Sequence, residues 1–412
     1  MDEMENNGLQ NNETYKKKDR NFLKGVLFGI MLTVCVALCA RSGMIIYRHI
    51  AKGEINYNTK AKLIYETLEK NYVGDIDKKD LYEGIYAGMV FTTTDRYSTY
   101  IPAEAYGDYK QSTLGEYVGI GAVVGVDEQE NMIIRYVYEN SGAEEAGIME
   151  GDIITEADGV SASYENYSDV VDIIKGVEGT TVKLKLYRPS QAISLEKEVE
   201  RRKIDTPTVS SAMLEDKIGY IRISQFEGVT YEQFKTAFDA LNEQGMERLI
   251  VDVRDNPGGL LTSVSDILDE FLDEGVITYT EDKNKKREYV YSKAGGIEIP
   301  MVVLVNGSSA SAAELFSAAV RDRGVATLVG ENTYGKGVVQ TTFPLTDGSA
   351  VKITTSKYYT PAGVCIDGVG VKPDCEIAAN PDFQMTYLSH SKADFAENDI
   401  QLEKAIEEVK AK

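Results

Sequence analysis

The chain has no tryptophan and, in 412 residues, only two histidines, four cysteines and nine prolines. The shortage of histidine is the most restrictive. A serine nucleophile ordinarily takes its proton acceptor from histidine, but His49 follows an apolar N-terminal segment and His390 lies in a polar C-terminal stretch, away from any strand-helix core. A Ser-His-Asp triad is therefore not expected. Four cysteines are too few for a disulfide scaffold; Cys35 and Cys39 fall inside the apolar segment, which leaves Cys365 and Cys375 as the one pair a folded domain could join, and two free thiols are the favoured reading. No cluster has metal-ligand spacing, no phosphate loop follows a strand and no dinucleotide fingerprint is present, so neither a metal nor a cofactor is expected. Basic residues are outnumbered, 44 against 66 acidic, for a net charge of −22. That balance argues against a nucleic-acid partner and against a broad electrostatic grip on anionic lipid. For the 26 tyrosines that accompany the missing tryptophan, composition offers no functional account.

One long apolar run is present. Residues 1–21 are polar, with Lys16, Lys17, Lys18 and Arg20 close to its start, and residues 22–40 follow as a nearly unbroken hydrophobic stretch. Nineteen helical residues span about 28 Å, close to one hydrocarbon thickness. The internal Lys24 can snorkel to the interface. Basic residues on the N-terminal side predict that end in the cytoplasm and the rest of the chain outside. A cleaved signal peptide would have a shorter apolar region and a clean small-x-small site, which Val36 to Ala40 does not supply. The expectation is a retained single-pass anchor in the cell membrane.

Beyond it, residues 41–113 read as linker and helices, with Leu63, Tyr65, Leu68 and Tyr72, then Leu81, Ile85, Met89 and Val90, recurring near a period of 3.6. Whether these helices pair two copies of the chain is open. Residues 114–200 form a second segment rich in glycine-punctuated strands. In residues 201–380, strands expected at Ile218–Ile223, Leu249–Val253, Val276–Thr280 and Pro300–Val305 alternate with helices at Tyr231–Glu243 and Ser263–Leu272, the signature of an α/β domain with a largely parallel sheet. The mixed-charge run Glu281 to Arg287 reads as a solvated loop, and residues 381–412 as a charged tail, helical over Asn398 to Lys410.

Chemistry concentrates after the strand Val302–Val305, which breaks at Asn306-Gly307 before an apolar helical pattern beginning near Leu315. Ser311 heads that helix with Glu314 three residues on. One reading is a capping box that merely satisfies an orphan amide; the other is a nucleophile beside the free N–H groups and positive dipole end of a helix. A nucleophile here needs a lysine base, and Lys336, between Gly335 and Gly337, is the one to consider. Burial would have to lower its pKa from about 10.4 towards 7 or 8, roughly 4 kcal/mol of differential solvation. A surface lysine in a glycine turn is the alternative.

The run Ser309 to Glu314, a lysine 25 positions after Ser311 and a glutamine four beyond it resemble the C-terminal processing peptidases, serine proteases with a Ser-Lys dyad. The resemblance extends in order from about Leu63 to about Pro381. It includes the block Asp95 to Pro102, the Asn256-Pro257-Gly258-Gly259 loop, Tyr358 to Gly363 and Gly370 to Asp374. It implies Ser311 as nucleophile, Lys336 as general base, Gln340 as the residue orienting the lysine, and the amides of Gly258 and Ala312 as oxyanion hole. It implies a crotonase-like, Clp-protease-like superhelix for the catalytic domain. The series from Tyr117 to Tyr187 resembles a bacterial PDZ domain, which binds a free polypeptide C-terminus as an added strand and holds its carboxylate on a glycine loop, here Gly119, Ile120 and Gly121. Two departures stand out: Gly142 replaces the usual proline, which should loosen a turn, and Lys175 stands where relatives often carry arginine. The expected function is a membrane-anchored, extracytoplasmic endopeptidase acting on polypeptides with free C-termini. The rivals are a PDZ adaptor on a dead protease scaffold and a crotonase-type acyl-CoA enzyme.

Overall fold

The computed structural model of the chain describes residues 22, 24–41, 44, 57–93, 95–380 and 399–412. Both histidines and the basic cluster before the apolar run lie outside the described residues, as does the first part of the expected tail. The chain divides into two compact units between Tyr82 and Glu83.

In the first unit the apolar run forms the helix Lys24–Arg41, 18 residues with mean hydropathy 1.8 and every side chain exposed. By length and composition it is a candidate membrane span. The helix Tyr57–Asn71 forms where the period predicts one, but Leu63, Leu68 and Tyr72 are not core: the helix has no buried residue.

The second unit is built around a six-stranded sheet in the spatial order Val209–Met213, Ile218–Ile223, Arg248–Asp252, Met301–Val305, Ala326–Gly330, Cys375–Glu376. All pairings are parallel except that of the first edge strand. Side chains alternate across such a sheet. Leu249, Val251, Met301, Val303 and Val305 pack on one face against the helices Thr230–Glu243, Leu261–Phe271 and Ala312–Asp322. Ile250, Val302 and Leu304 pack on the other against Leu402, Ala405 and Val409 of the helix Ile400–Lys410. Fully burying one such side chain contributes about 1.5–3 kcal/mol, so a register slip in Met301–Val305 is strongly disfavoured. The C-terminal helix, whose role the sequence left unread, is thus the second cover of this sheet.

It is also tied down by charge. Arg254, 2% exposed, pairs with Asp252 at the end of its strand and with Asp399 at the helix N-cap. The two Asp399 oxygens accept from its guanidinium at 3.0 and 2.8 Å.

A second, antiparallel sheet joins Ala350–Tyr359 to Thr99–Ile101, Gly275–Asp282 and Val338–Pro344. The block at Asp95 to Pro102 is therefore part of this antiparallel sheet rather than a link between domains. The run Glu281–Arg287 is the tip of a hairpin, Gly275–Asp282 with Arg287–Ser292, in which Glu281 pairs with Lys285 and Arg287. Cys365 and Cys375 are free.

Residues 122–200 form a separate sheet of five principal strands around the helix Tyr167–Ile174, with its own core of Ile134, Leu184, Leu186 and Val170. The chain enters through Glu116–Gly119 and leaves through Arg202–Asp205, and these two strands pair antiparallel. Gly142 does not loosen its turn. Ser141 Oγ accepts from Glu144 N–H, and a Cβ on Gly142 would lie 2.1 Å from the carbonyl oxygen of Glu200. Only glycine lets those backbones approach so closely.

Candidate active site

Two loops meet at the C-terminal ends of neighbouring parallel strands, where ligand crevices of open α/β sheets form. The loop after Arg248–Asp252 carries Asn256 to Gly259, and the loop after Met301–Val305 leads to Ser311. Asn306 stitches them, accepting Asp255 N–H at 3.0 Å and donating to Asp255 Oδ1 at 2.8 Å. Ser309 Oγ donates to the Val253 carbonyl at 2.7 Å and Ala310 N–H to the Asn256 carbonyl at 2.9 Å.

Ser311 heads the helix Ala312–Asp322 at φ 56°, ψ −115°. A serine with that φ stores on the order of 1–3 kcal/mol and persists only where its surroundings fix it. They do: its N–H donates to Glu314 Oε2 at 2.8 Å, and its carbonyl accepts Leu315 N–H at 2.9 Å. The capping-box pairing is thus present, but the backbone there is far from that of an ordinary cap.

Glu314 does more than cap. It is 0% exposed and accepts four hydrogen bonds: from Ser311 N–H and Lys336 N–H on Oε2, and from Gly335 N–H and the Thr333 hydroxyl on Oε1. One buried carboxylate therefore fixes the backbones of both Ser311 and Lys336. The sequence offered Glu314 only as a capping partner; no local pattern announces its link to a loop 22 residues away.

Lys336 is partly buried, and burial pushes its pKa below the usual lysine value. The nearby positive charge of Lys352 lowers it further, while Asp95 and Glu314 act the other way. Its Nζ lies 4.7 Å from the centre of the Tyr97 ring. Tyr97 comes from the block assigned no chemistry in sequence, and its aromatic identity was the available signal. Among the described residues no hydrogen bond joins Lys336 Nζ to Ser311 Oγ. Gln340 lines the same cavity, but its Nε2 donates to Thr354 Oγ1 at 3.0 Å and no hydrogen bond joins it to Lys336 among the described residues. Tyr358 closes the floor, its hydroxyl donating to the Lys336 carbonyl. Burial first, then the Glu314 charge, pushes that phenol well above its usual pKa.

Gly258 adopts φ 106°, and a Cβ there would lie 2.7 Å from Ser311 Cβ and 2.9 Å from the Ala312 nitrogen. The two loops touch beside Ser311. The Gly258 N–H donates to Asn256 Oδ1 at 2.8 Å, so it is already engaged. Among the described residues the N–H of Ala312, first residue of its helix, meets no backbone carbonyl.

Ser311, Ala312, Gly258, Lys336 and Gln340 all line one cavity of about 700 Å³. A second, of about 550 Å³, runs along the first strand and the helix of the 122–200 domain and is lined by Gly119, Ile120, Val124, Val171, Ile174 and Lys175. Gly121, at φ 78°, packs against Ser141 instead. Tyr109, Ser112 and Glu227 line both cavities.

Comparison with known proteins agrees with this division. Residues 217–377 match the model of peptidase family S41, residues 133–188 that of a PDZ domain, and residues 47–105 that of the activating protease CtpB N-terminal domain. The chain is 33% identical over 376 residues to the carboxy-terminal processing protease CtpA of Bacillus subtilis strain 168, spanning 89% of this chain and 80% of that protein. It is 33% identical over 329 residues to CtpB of the same strain, spanning 79% and 68%. A probable CtpA-like serine protease of Staphylococcus haemolyticus is 32% identical over 392 residues, spanning 93% and 77%.

Proposed function

Since the chain belongs to the carboxy-terminal processing proteases of peptidase family S41 and carries their PDZ domain, we propose that it cleaves polypeptides by a Ser311–Lys336 dyad, directed by C-termini bound in the PDZ groove. The observation that carries this reading is the shared carboxylate: Ser311 and Lys336 are both held on Glu314 and open onto one cavity.

Lys336, in its neutral form, takes the Ser311 proton through Nζ as Oγ attacks the substrate carbonyl. The tetrahedral oxyanion is stabilised by the Ala312 amide and by an amide of the Gly258-Gly259 pair. Gly258 serves if its proton is shared with or released from Asn256 Oδ1. Protonated Lys336 then gives its proton to the leaving amine, and an acyl-enzyme on Ser311 remains. Water, deprotonated by the same lysine, resolves it to a free carboxylate and regenerates Ser311. Gln340 would orient Lys336 after a rotamer change from Thr354. The parallel sheet supports a crotonase-like superhelix. The helix Lys24–Arg41 would anchor the enzyme as a single span, with catalysis on the extracytoplasmic side.

The test is cleavage of an unfolded protein ending in apolar residues, beside the same protein ending in Asp-Asp. Ser311→Ala and Lys336→Ala should each lower kcat by several orders of magnitude, and the Asp-Asp tail should lower kcat/KM. Lys336→Ala retaining activity within a few-fold would reject the dyad. A fluorophosphonate that labels Ser311 separates a peptidase from a dead scaffold.

A further inference from the structure

Glu227 stands where the tail groove and the catalytic cavity meet, and it lines both. It is 9% exposed, and among the described residues its Oε2 has no hydrogen-bond partner. The oxygen is pressed against the linker into the PDZ domain: a Cβ on Gly115 would lie 2.4 Å from it. Burial alone raises its pKa, with no charged neighbour contributing. Among the described residues no cation pairs with this carboxylate. A buried carboxylate without one is costly, and such groups persist chiefly where function uses them.

The charges along the path support a reason. Lys175 stands at the tail groove, while Lys336 and Lys352 stand at the catalytic end. The groove on Glu227's side also carries Asp108 and Glu116, the latter already paired with Lys203. A substrate whose C-terminus lies in the PDZ groove and whose scissile bond reaches Ser311 has to pass Tyr109, Ser112 and Glu227, since these line both cavities. Resting on that tail-directed reading, we propose that Glu227 forms a subsite for a basic side chain of the substrate, lysine or arginine, located between the bound C-terminus and the cleaved bond. The enzyme then reads two features of its substrate, an apolar tail and a cation upstream of it. Glu227 is a specificity residue and takes no part in the proton transfers.

The experiment uses full-length Ser311→Ala protein and fluorescent peptides with a fixed apolar C-terminus. Lysine, norleucine or glutamate is placed in turn at each position upstream of the tail. Norleucine keeps the four-carbon stem of lysine and lacks its ammonium group. At one position lysine should bind at least about tenfold tighter than norleucine, and glutamate more weakly than either, as expected for a desolvated charge pair. In Glu227→Gln the lysine-to-norleucine ratio should fall to near one, and in Glu227→Lys the preference should move to glutamate. Equal ratios in the parent and Glu227→Gln overturn the subsite. So does an equal loss for all three peptides in Glu227→Gln, which would assign the carboxylate to the peptide backbone. Cleavage of the same peptides by the Ser311 protein is scored separately. A lysine preference in binding without any cleavage would reject the peptidase reading and leave the subsite standing.

Discussion

The backbone amides of Ser311 and Lys336 donate to the same oxygen, Oε2 of Glu314, each at 2.8 Å. Ser311 and Lys336 are thereby positioned relative to each other through their main chains.

Glu314→Ala should therefore damage catalysis by misplacing two residues at once. It leaves four donors without an acceptor, the Thr333 hydroxyl and the Gly335 N–H buried and the other two part-buried, at about 1–3 kcal/mol for each buried one. We expect kcat/KM to fall at least about 100-fold and the denaturation midpoint to drop. Glu314→Gln, which keeps one carbonyl oxygen but adds donors, should recover part of the stability and little of the rate. Native stability with unchanged kcat/KM in Glu314→Ala would contradict this.

Lys336 must be neutral to accept a proton, so kcat/KM should rise with pH and level off above its lowered pKa. Lys352 depresses that pKa and Asp95 raises it. Lys352→Met removes a repulsive positive charge, so protonated Lys336 becomes easier to keep and the rising limb moves to higher pH. Asp95→Asn removes an attractive negative charge and moves the limb to lower pH. Opposite shifts in the two variants, read from pH profiles of kcat/KM, are the expected signature; shifts of the same sign would exclude Lys336 as the titrating group.

Installing the proline usual in relatives at position 142 should destabilise this chain. A Cβ there would stand 2.1 Å from the Glu200 carbonyl oxygen, so the turn or the strand Ile193–Glu200 must shift, at about 1–3 kcal/mol. Urea denaturation of Gly142→Pro measures it, and the loss should appear in the PDZ transition.

Asp399→Ala strips one partner from Arg254, which is 2% exposed. Removing one member of a buried ion pair costs about 3–5 kcal/mol, softened here because Asp252 remains. We expect a loss of about 1–3 kcal/mol in guanidinium denaturation, together with faster amide exchange in the helix Ile400–Lys410.

Periodicity exposed most of the catalytic sheet. Ile218–Ile223 falls where the apolar run places it, Arg248–Asp252 is shifted one residue towards the N-terminus from the expected Leu249–Val253, and Met301–Val305 begins one residue after the expected Pro300. These strands are buried on both faces and read as continuous hydrophobic runs. Val209–Met213 and Ala350–Tyr359 were not assigned, because their half-exposed mixtures of serine, threonine and lysine resemble loop sequence. Spacing and residue type left Ser311 as cap or nucleophile and Lys336 as base or surface lysine; the family resemblance singled both out, and the structure sets both on one cavity. Tyr97, Glu314 and Glu227 carried no such signal, since their contacts exist only once distant segments meet. The resemblance offered the Gly258 amide for an oxyanion; the structure brings Gly258 against Ser311 with that amide on Asn256 Oδ1. The helices before residue 92 formed as their period predicts, yet Leu63 and Tyr72 stay exposed: a period of 3.6 reports that one face is apolar and says nothing of what covers it.

The paired strands Glu116–Gly119 and Arg202–Asp205 carry the chain into and out of the PDZ domain side by side. Adjacent strands lie only about 4.8 Å apart. The PDZ domain is thus an insertion whose two ends nearly coincide. Exchanging everything between those strands for another terminus-binding module of like geometry would leave both catalytic loops unaltered. Evolution can accordingly retarget such an enzyme by replacing one cassette while its chemistry stays the same.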